Sequence, residues 1–164
     1  MYLDRIILQN IRGFQELNFS LARPDGSYAG WTVFTGDNGS GKSTLLKAIA
    51  ICLTGRDTAR ALQPSFNRWV RHGAPANEGA IQLEIVRVEG DDELTKQGRN
   101  PPQHFSARIN LQNGGKETIL QTDSASSKTK TPNRTIWAQM QQDGLLVAMV
   151  LFGACLVLRL RPPR

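Results

Sequence analysis

The chain has 164 residues, which is enough for one domain with a buried core. Hydrophobic residues make up 40% and charged residues 21%, a composition that excludes a largely disordered protein. Part of the net charge of +6 comes from Arg159, Arg161 and Arg164, so charge gives little support to nucleic-acid binding by itself. The two cysteines show neither metal spacing nor a CxxC pair, and we expect reduced thiols in a cytoplasmic protein.

Three strands are predicted in the first part of the chain. Residues 3–9 are rich in β-branched and aliphatic side chains. Residues 14–21 alternate apolar and polar side chains, as a half-buried strand does. A turn is predicted at residues 24–27, and a short apolar strand at residues 31–35 leads into a glycine-rich stretch.

Helices and a second group of strands follow. Residues 42–53 carry an apolar stripe at helical spacing, with Gly55 as the predicted C-cap. A second short helix, broken near Pro64, is predicted over residues 59–71. The later part of the chain is predicted to contain strands at 81–88, 105–112, 118–121 and 135–138, the middle two joined as a hairpin, and exposed loops at 91–104 and 122–134.

The glycine-rich stretch GDNGSGKST fits the phosphate-binding P-loop pattern G-x-x-x-x-G-K-S. Glycines allow positive φ and a close approach to phosphate, so that successive N–H groups and a helix N-terminus face one anion. We expect Lys42 to reach the β- and γ-phosphates, Ser43 to ligate Mg²⁺, and Thr44 to cap the helix or contact the α-phosphate. The predicted nucleotide site comprises Gly36, Asp37, Asn38, Gly39, Ser40, Gly41, Lys42, Ser43 and Thr44.

The order of elements narrows the class of P-loop protein. Two predicted strands precede the P-loop strand, and the turn between them reads Asn10-Ile11-Arg12-Gly13-Phe14. The chain resembles ABC-type ATPases of the SMC, RecF and SbcC group in this arrangement, in its P-loop sequence and in the segment at residues 70–86. The resemblance covers about residues 1–138 and implies an α/β P-loop NTPase fold: an ABC-ATPase-like N-terminal lobe with a mixed β-sheet.

The resemblance also implies a function. Members of the group are ATP-driven machines, with ATP and Mg²⁺ as cofactors, that act on DNA in repair and maintenance or in anti-phage defence. They work as head-to-tail dimers, with ATP held between the P-loop of one subunit and the signature motif of the other. Arg12 is then expected near the nucleotide, although its sequence context fits a solvent-exposed turn arginine equally well.

The other motifs of such ATPases are not found in the sequence: a signature motif, a Walker B strand ending in Asp-Glu, and a switch histidine. Asp91, Asp92 and Glu93 lie in a polar stretch after Gly90 and do not directly follow a run of consecutive apolar residues, as a Walker B carboxylate does. His72 and His104 are expected in turn or surface positions. We therefore expect the first lobe of an ATPase head, which binds ATP but does not hydrolyse it alone.

Residues 139–164 differ from the rest because residues 144–158 are apolar and a basic stretch follows. This run is shorter than the ~20 residues of a membrane span, so a membrane anchor is not favoured, and a buried helix is another alternative. Back-translation in a shifted frame permits the run YGPFRR, which resembles related bacterial ATPases, and suggests translation out of frame from about residue 140. Two other functions stay open: a non-catalytic nucleotide-binding module with a short membrane-anchoring tail, and a small P-loop kinase.

Overall fold

The structure is a computed structural model that describes residues 1–29, 31–63, 65–88, 103–115 and 117–122. Its described strands form one five-stranded sheet, in which every pair of neighbours is antiparallel. The elements are β1 (Tyr2–Ile11), β2 (Phe14–Ser20), α1 (Lys42–Leu62), a 3₁₀ turn (Pro75–Asn77), β3 (Glu78–Val86), β4 (His104–Asn113) and β5 (Thr118–Thr122). The order across the sheet is β2-β1-β3-β4-β5.

The core lies between this sheet and α1, which packs against β3, β4 and β5. Alternation along the strands places the side chains of Ile6, Leu8, Ile81 and Leu83 in the core, where each is fully buried. The pattern therefore determines which face of each strand is covered by apolar packing. The strand predictions for β1, β3 and the hairpin of β4 and β5 are confirmed.

Strand β2 is also confirmed, but its predicted half-buried face is wrong at Phe19. This side chain is 42% exposed, because β2 is the edge strand of the described sheet. Its ring contacts Phe34, with 5.9 Å between ring centroids. The predicted turn at residues 24–27 is confirmed, since the Asp25 carboxylate accepts bonds from the N–H and hydroxyl of Ser27.

Gly55 interrupts α1 at the position where the sequence predicts a C-cap. Its φ of 75° and ψ of 170° are not helical, and the chain resumes a helical path up to Leu62. The predicted helix over residues 59–71 is therefore wrong beyond Leu62. There, Val70 bridges to Ile11 and the N–H of Arg71 donates to the carbonyl of Asn10, so tertiary backbone pairing replaces the helix.

The strand predicted at residues 31–35 is not present in the structure. A strand needs a neighbour that accepts and donates its ladder hydrogen bonds, and none of the described strands pairs with this segment. Trp31 and Val33 are 57% and 58% exposed, whereas the intervening Thr32 and the following Phe34 are half-buried. The prediction of a short apolar strand is therefore wrong for these residues.

Several sequence predictions lie outside the described residues. They are most of the two predicted loops, the strand at residues 135–138 and the tail at residues 139–164. Where the loop boundaries fall on described residues they are wrong by one residue, because His104 begins β4 and Thr122 ends β5. Within the described ranges, no helix combines the length and apolar character that a membrane crossing demands.

Candidate nucleotide-binding site

The predicted P-loop lies directly before α1 and includes the first turn of that helix. Gly39 and Gly41 have φ values of 84° and 94°, a region that favours glycine. Gly41 is the N-cap of α1 and supplies no side-chain cap, so the first N–H groups of the helix are left for another acceptor. A tight turn precedes it, in which the N–H of Ser40 donates to the carbonyl of Asp37 at 3.2 Å.

Lys42 points back into the loop. Its Nζ donates to the carbonyl of Gly36 at 2.6 Å and to that of Asp37 at 2.8 Å, and lies 3.4 Å from the hydroxyl of Ser40. Three oxygen atoms of the loop thus hold one ammonium group at the N-terminus of α1. The arrangement concentrates positive charge where a helix end already favours an anion.

The remaining residues of the predicted site are mostly accessible. Asp37, Asn38 and Ser43 are exposed, and Thr44 is half-buried. No hydrogen bond of the Ser43 hydroxyl is present within the described part of the chain, so this oxygen is accessible to an added ligand. The site is an open surface loop around a fixed lysine, as phosphate recognition by backbone N–H groups requires.

Phe14 joins the turn between β1 and β2 to the P-loop. A Cβ at Gly41 would lie 2.5 Å from Cζ of the Phe14 ring, so the ring packs directly on the glycine backbone. Glycine is therefore favoured at position 41 for two reasons: the positive φ, and the lack of space for a Cβ beside the Phe14 ring. The sequence singles out Phe14 as part of a turn motif, but the contact itself was not predicted.

Arg12 lies in this same turn, two residues before Phe14. It is exposed, has a φ of 49°, and donates its backbone N–H to the carbonyl of Trp69 at 2.8 Å. Its guanidinium carbon lies 5.0 Å from the centroid of the Trp69 ring, a cation–π contact. Both the backbone and the side chain of Arg12 therefore contact Trp69, on the side of the turn that faces residues 65–77. Arg12 is exposed, but its position is constrained by these contacts.

Residues 65–77, which we call the strap, pack along the turn between β1 and β2. The Nη1 of Arg71 donates to the carbonyl of Gly13 at 3.0 Å, and Val70 bridges to Ile11. Every described non-glycine residue with positive φ lies in the turn or the strap: Asn10, Arg12, Arg68, Ala76 and Asn77. Such conformations cost free energy, persist only where surrounding contacts maintain them, and cluster at functional sites. The turn and the strap therefore contain strained backbone, and the turn contacts the P-loop through Phe14.

The two histidines are not brought to the P-loop by any contact that the structure describes. His72 is exposed in the strap, and His104 is exposed at the start of β4, as the sequence predicts. Asp91, Asp92 and Glu93 lie outside the described residues. Among the described residues, no group of three or more His, Cys, Asp or Glu side chains is arranged to hold a metal ion.

Comparison with known families gives the P-loop its context. A family model described as an AAA domain matches residues 5–145, which is most of the chain. The chain belongs to this AAA domain family. The matched range contains the P-loop, Arg12 and the strap.

Curated relatives of this AAA domain protein include two bacterial proteins called "DNA replication and repair protein RecF". The protein from Mesorhizobium japonicum is 38% identical over 91 residues, covering 56% of this chain and 21% of the relative. The protein from Brucella abortus is 34% identical over 92 residues, covering 56% of this chain and 22% of the relative. The match thus spans only about a fifth of the length of these relatives.

A solved SMC ATPase structure has a similar fold. It superposes with a TM-score of 0.56 at 14% identity, covering 86% of this chain and 78% of the other. That structure belongs to work on "ATP-driven dimerization and DNA stimulated activation of SMC ATPases". The predicted α/β P-loop NTPase fold is confirmed, and so is the resemblance to the N-terminal region of SMC/RecF-like ATPases.

Proposed function

We propose that this chain binds ATP·Mg²⁺ through residues 36–44 and forms the N-terminal lobe of an SMC/RecF-like ATPase. The observation that carries the proposal is Lys42, whose ammonium group is held by the loop carbonyls at the N-terminus of α1. A fixed cation beside free helix N–H groups is a site for a phosphate chain. The whole machine would act in DNA repair or maintenance, or in anti-phage defence.

The residues present fit the proposed ligand. The loop backbone at Gly39 and Gly41 leaves the space that side chains would fill, and Lys42 supplies a compensating charge. Ser43 offers an exposed hydroxyl on the first turn of α1, the position from which it would ligate Mg²⁺. When bound, Mg²⁺ would neutralise phosphate charge, while this chain would bind and orient the nucleotide.

We propose that this lobe does not hydrolyse ATP alone. Phosphoryl transfer to water needs a residue that orients or polarises the attacking water, in addition to a phosphate cradle. Residues 36–44 supply the cradle, but their only carboxylate belongs to Asp37, which precedes α1 rather than ending a buried strand. The missing groups would come from a second lobe or from a head-to-tail partner.

The segment at residues 31–35 supports the proposal of a second lobe. It is a short apolar segment that exposes Trp31 and Val33, and it has no ladder partner among the described strands. Because it leads directly into the P-loop, a strand from a second lobe or partner would also steady the site. DNA would then be bound by the assembled head rather than by this lobe alone.

Nucleotide binding is tested by titrating the full chain with a fluorescent ATP analogue in the presence of Mg²⁺. We expect saturable binding that Lys42→Ala weakens at least about tenfold, which corresponds to about 1.4 kcal/mol. Ser43→Ala should weaken binding in Mg²⁺ and have little effect in EDTA. Lys47→Ala is the matched control, because Lys47 is an exposed lysine further along α1. Equal binding by Lys42→Ala and the unmodified chain would refute the proposal.

Hydrolysis is tested separately by phosphate release from ATP. We expect no Lys42-dependent turnover by the chain alone, even at concentrations that saturate binding. A robust turnover that disappears in Lys42→Ala would show that this lobe contains its own water-activating residue. Binding without turnover would support the assignment of a nucleotide-binding half.

A further inference from the structure

The turn between β1 and β2 has a strained backbone. Its positive φ of 49° falls on Arg12, whereas the neighbouring Gly13, which could adopt such an angle at little cost, does not have a positive φ. Asn10, near the end of β1, has a φ of 52°. Non-glycine residues keep such conformations only where surrounding contacts maintain them. Contacts from outside the turn therefore hold it in this shape.

The strap supplies these contacts. The N–H of Arg12 donates to the carbonyl of Trp69 at 2.8 Å, and the N–H of Arg71 donates to the carbonyl of Asn10 at 2.9 Å. The Nη1 of Arg71 donates to the carbonyl of Gly13 at 3.0 Å. These hydrogen bonds join the strap to both sides of the turn, so that release of the strap would let the strained turn relax.

The strap is built in a way that allows it to open locally. Most of its residues are exposed, and Phe66 and Trp69 are its largest buried side chains. Its later part carries further strained backbone, with a φ of 53° at both Ala76 and Asn77. A segment with few buried side chains opens at a lower free energy than the core strands do. The strap therefore has two accessible states, one docked on the turn and one released from it.

Phe14 connects the turn to the P-loop. It is the first residue of β2 and pairs with Ile11 across the turn. A Cβ at Gly41 would lie 2.5 Å and 2.8 Å from two atoms of the Phe14 ring, so the ring packs on the backbone that begins α1. The N–H groups that follow Gly41 are those that a phosphate would contact. When the turn relaxes, the ring loses its fixed position on this backbone.

We propose that docking of the strap raises the affinity of the P-loop for nucleotide, and that Phe14 transmits the effect. The proposal rests on the proposed function, in which residues 36–44 bind the nucleotide. In the docked state the turn holds the Phe14 ring against Gly41, and in the released state this support is lost and binding is weaker. Because such coupling is reciprocal, bound nucleotide must also favour the docked strap.

Hydrogen exchange of the full chain tests the effect of nucleotide on the strap. We expect saturating ATP and Mg²⁺ to slow the exchange of strap amides, including those of Trp69 and Arg71, about tenfold. Phe14→Leu should abolish this slowing at saturating nucleotide. The turn at residues 24–27 is the internal reference, because its hydrogen bonds are local. Slowing that survives Phe14→Leu, or equal slowing in the reference turn, would overturn the proposal.

Titration with the fluorescent ATP analogue tests the reverse direction. Arg71→Leu removes the side-chain bond to Gly13 and should weaken binding about threefold, whereas Phe14→Leu should weaken it about tenfold. In the Phe14→Leu background, Arg71→Leu should cause no further loss, since the strap then no longer acts on the P-loop. Multiplicative losses in the double variant would overturn the proposal, because they would show that the two residues act independently.

Arg68→Leu is the matched control for the loss of charge. Arg68 is an exposed arginine of the same strap, and within the described residues no hydrogen bond joins its side chain to the turn. Its replacement removes the same positive charge as Arg71→Leu and should leave nucleotide affinity unchanged. Equal losses in the two variants would show that the strap acts by general electrostatic attraction, and the proposal would be wrong.

The same measurements separate the two levels of inference. Lys42-dependent binding without slower exchange in the strap would overturn the coupling and leave the proposed function standing. No Lys42-dependent binding by the unmodified chain would overturn both. If Phe14→Leu does not fold, Phe14→Met takes its place in both experiments, because methionine removes the ring and adapts to irregular spaces in a core.

Discussion

Strand β3 and residues 31–35 are both predicted as strands, and only β3 forms one. Residues 81–85 alternate apolar and polar side chains, whereas residues 31–35 are a short apolar stretch, and β3 pairs with β1 on one side and β4 on the other. Residues 31–35 pair with no described strand and expose Trp31 and Val33. The difference shows that an apolar, β-prone sequence is compatible with a strand, whereas a neighbouring ladder and a covering layer decide whether the strand forms.

The comparison also separates stability from function in this lobe. The paired region contains most of the buried core, including Ile81, Leu83 and Ile109. The P-loop and residues 31–35 form the accessible side, where the proposed ligand and the proposed second lobe would bind. Substitutions in the two regions should therefore affect different measurements.

The largest expected contrast is between Leu83→Ala and Val33→Ala. Leu83 is fully buried in the core, and its truncation should lower the free energy of unfolding by about 2–5 kcal/mol. Val33 is 58% exposed, and its truncation should change that free energy by less than about 0.5 kcal/mol. Chemical denaturation of both variants measures the difference. Similar losses would mean that residues 31–35 are covered in solution, for example by a second copy.

Gly41→Ala tests the junction between the two regions. A methyl group there meets the Phe14 ring and a φ of 94°, so we expect a loss of about 1–3 kcal/mol together with weaker nucleotide binding. Gly13→Ala is the control, because no atom lies within 4 Å of its Cβ position. Denaturation and nucleotide titration are compared for the two variants. Partial recovery of Gly41→Ala by Phe14→Leu would confirm the steric cause, and equal effects of the two alanines would contradict it.

The pH dependence of the free energy of unfolding tests the burial of Cys52. It is fully buried under the sheet, and its thiol lies 3.3 Å from the carbonyl oxygen of Ala107. Burial raises the pKa of Cys52 to about 12 from an ordinary value of 9.0. The unfolded chain then releases the thiol proton first, so stability is retained below pH 9 and lost as pH rises toward 12. The expected slope is about 1 kcal/mol per pH unit.

Cys52→Ala isolates this contribution from that of other groups that titrate at high pH. The variant should be less stable near neutral pH because it leaves a small cavity, but its stability should fall less steeply above pH 9. Urea denaturation at several pH values gives both slopes. Parallel curves for the two proteins would show that Cys52 is not protected from ionisation.

The smallest expected effect is on the pKa of Asp25, which lies in the exposed turn that precedes residues 31–35. Hydrogen bonds from the hydroxyl and the backbone N–H of Ser27 lower the pKa of Asp25 below its usual 3.8. Any stability from this group is present above the ordinary pKa and is lost as pH falls through the lowered one. We expect Ser27→Ala to raise the pKa of Asp25 toward its usual value, as NMR titration would show. An unchanged pKa would mean that this turn is not formed in solution.

Local patterns predicted much of this lobe correctly. Alternation located β1, β3 and the β4–β5 hairpin, and the P-loop motif located the start of α1 at Lys42. Gly55 was predicted as the C-cap; it does break the helical path, but α1 resumes after it and has Gln63 as its C-cap. All these features depend on neighbours within a few residues, and the sequence therefore contains most of the information that they need.

The features that were not predicted from the sequence depend on contacts between residues that are distant in the chain. The helix predicted over residues 59–71 failed beyond Leu62 because Val70 and Arg71 pair with the distant turn at Asn10 and Ile11. Phe14 on Gly41 and Arg12 on Trp69 are contacts of the same kind. No periodicity or spacing in the sequence relates these residues, so their meeting could not be predicted locally.

The sequence by itself determined the family resemblance, the P-loop motif and most strands, because each rests on local backbone geometry and side-chain pattern. Only the tertiary structure decided the sheet order β2-β1-β3-β4-β5, the unpaired state of residues 31–35, and the attachment of Arg12 to Trp69. The physical reason is that a motif specifies which groups can bind phosphate, whereas packing between distant segments determines where those groups are held.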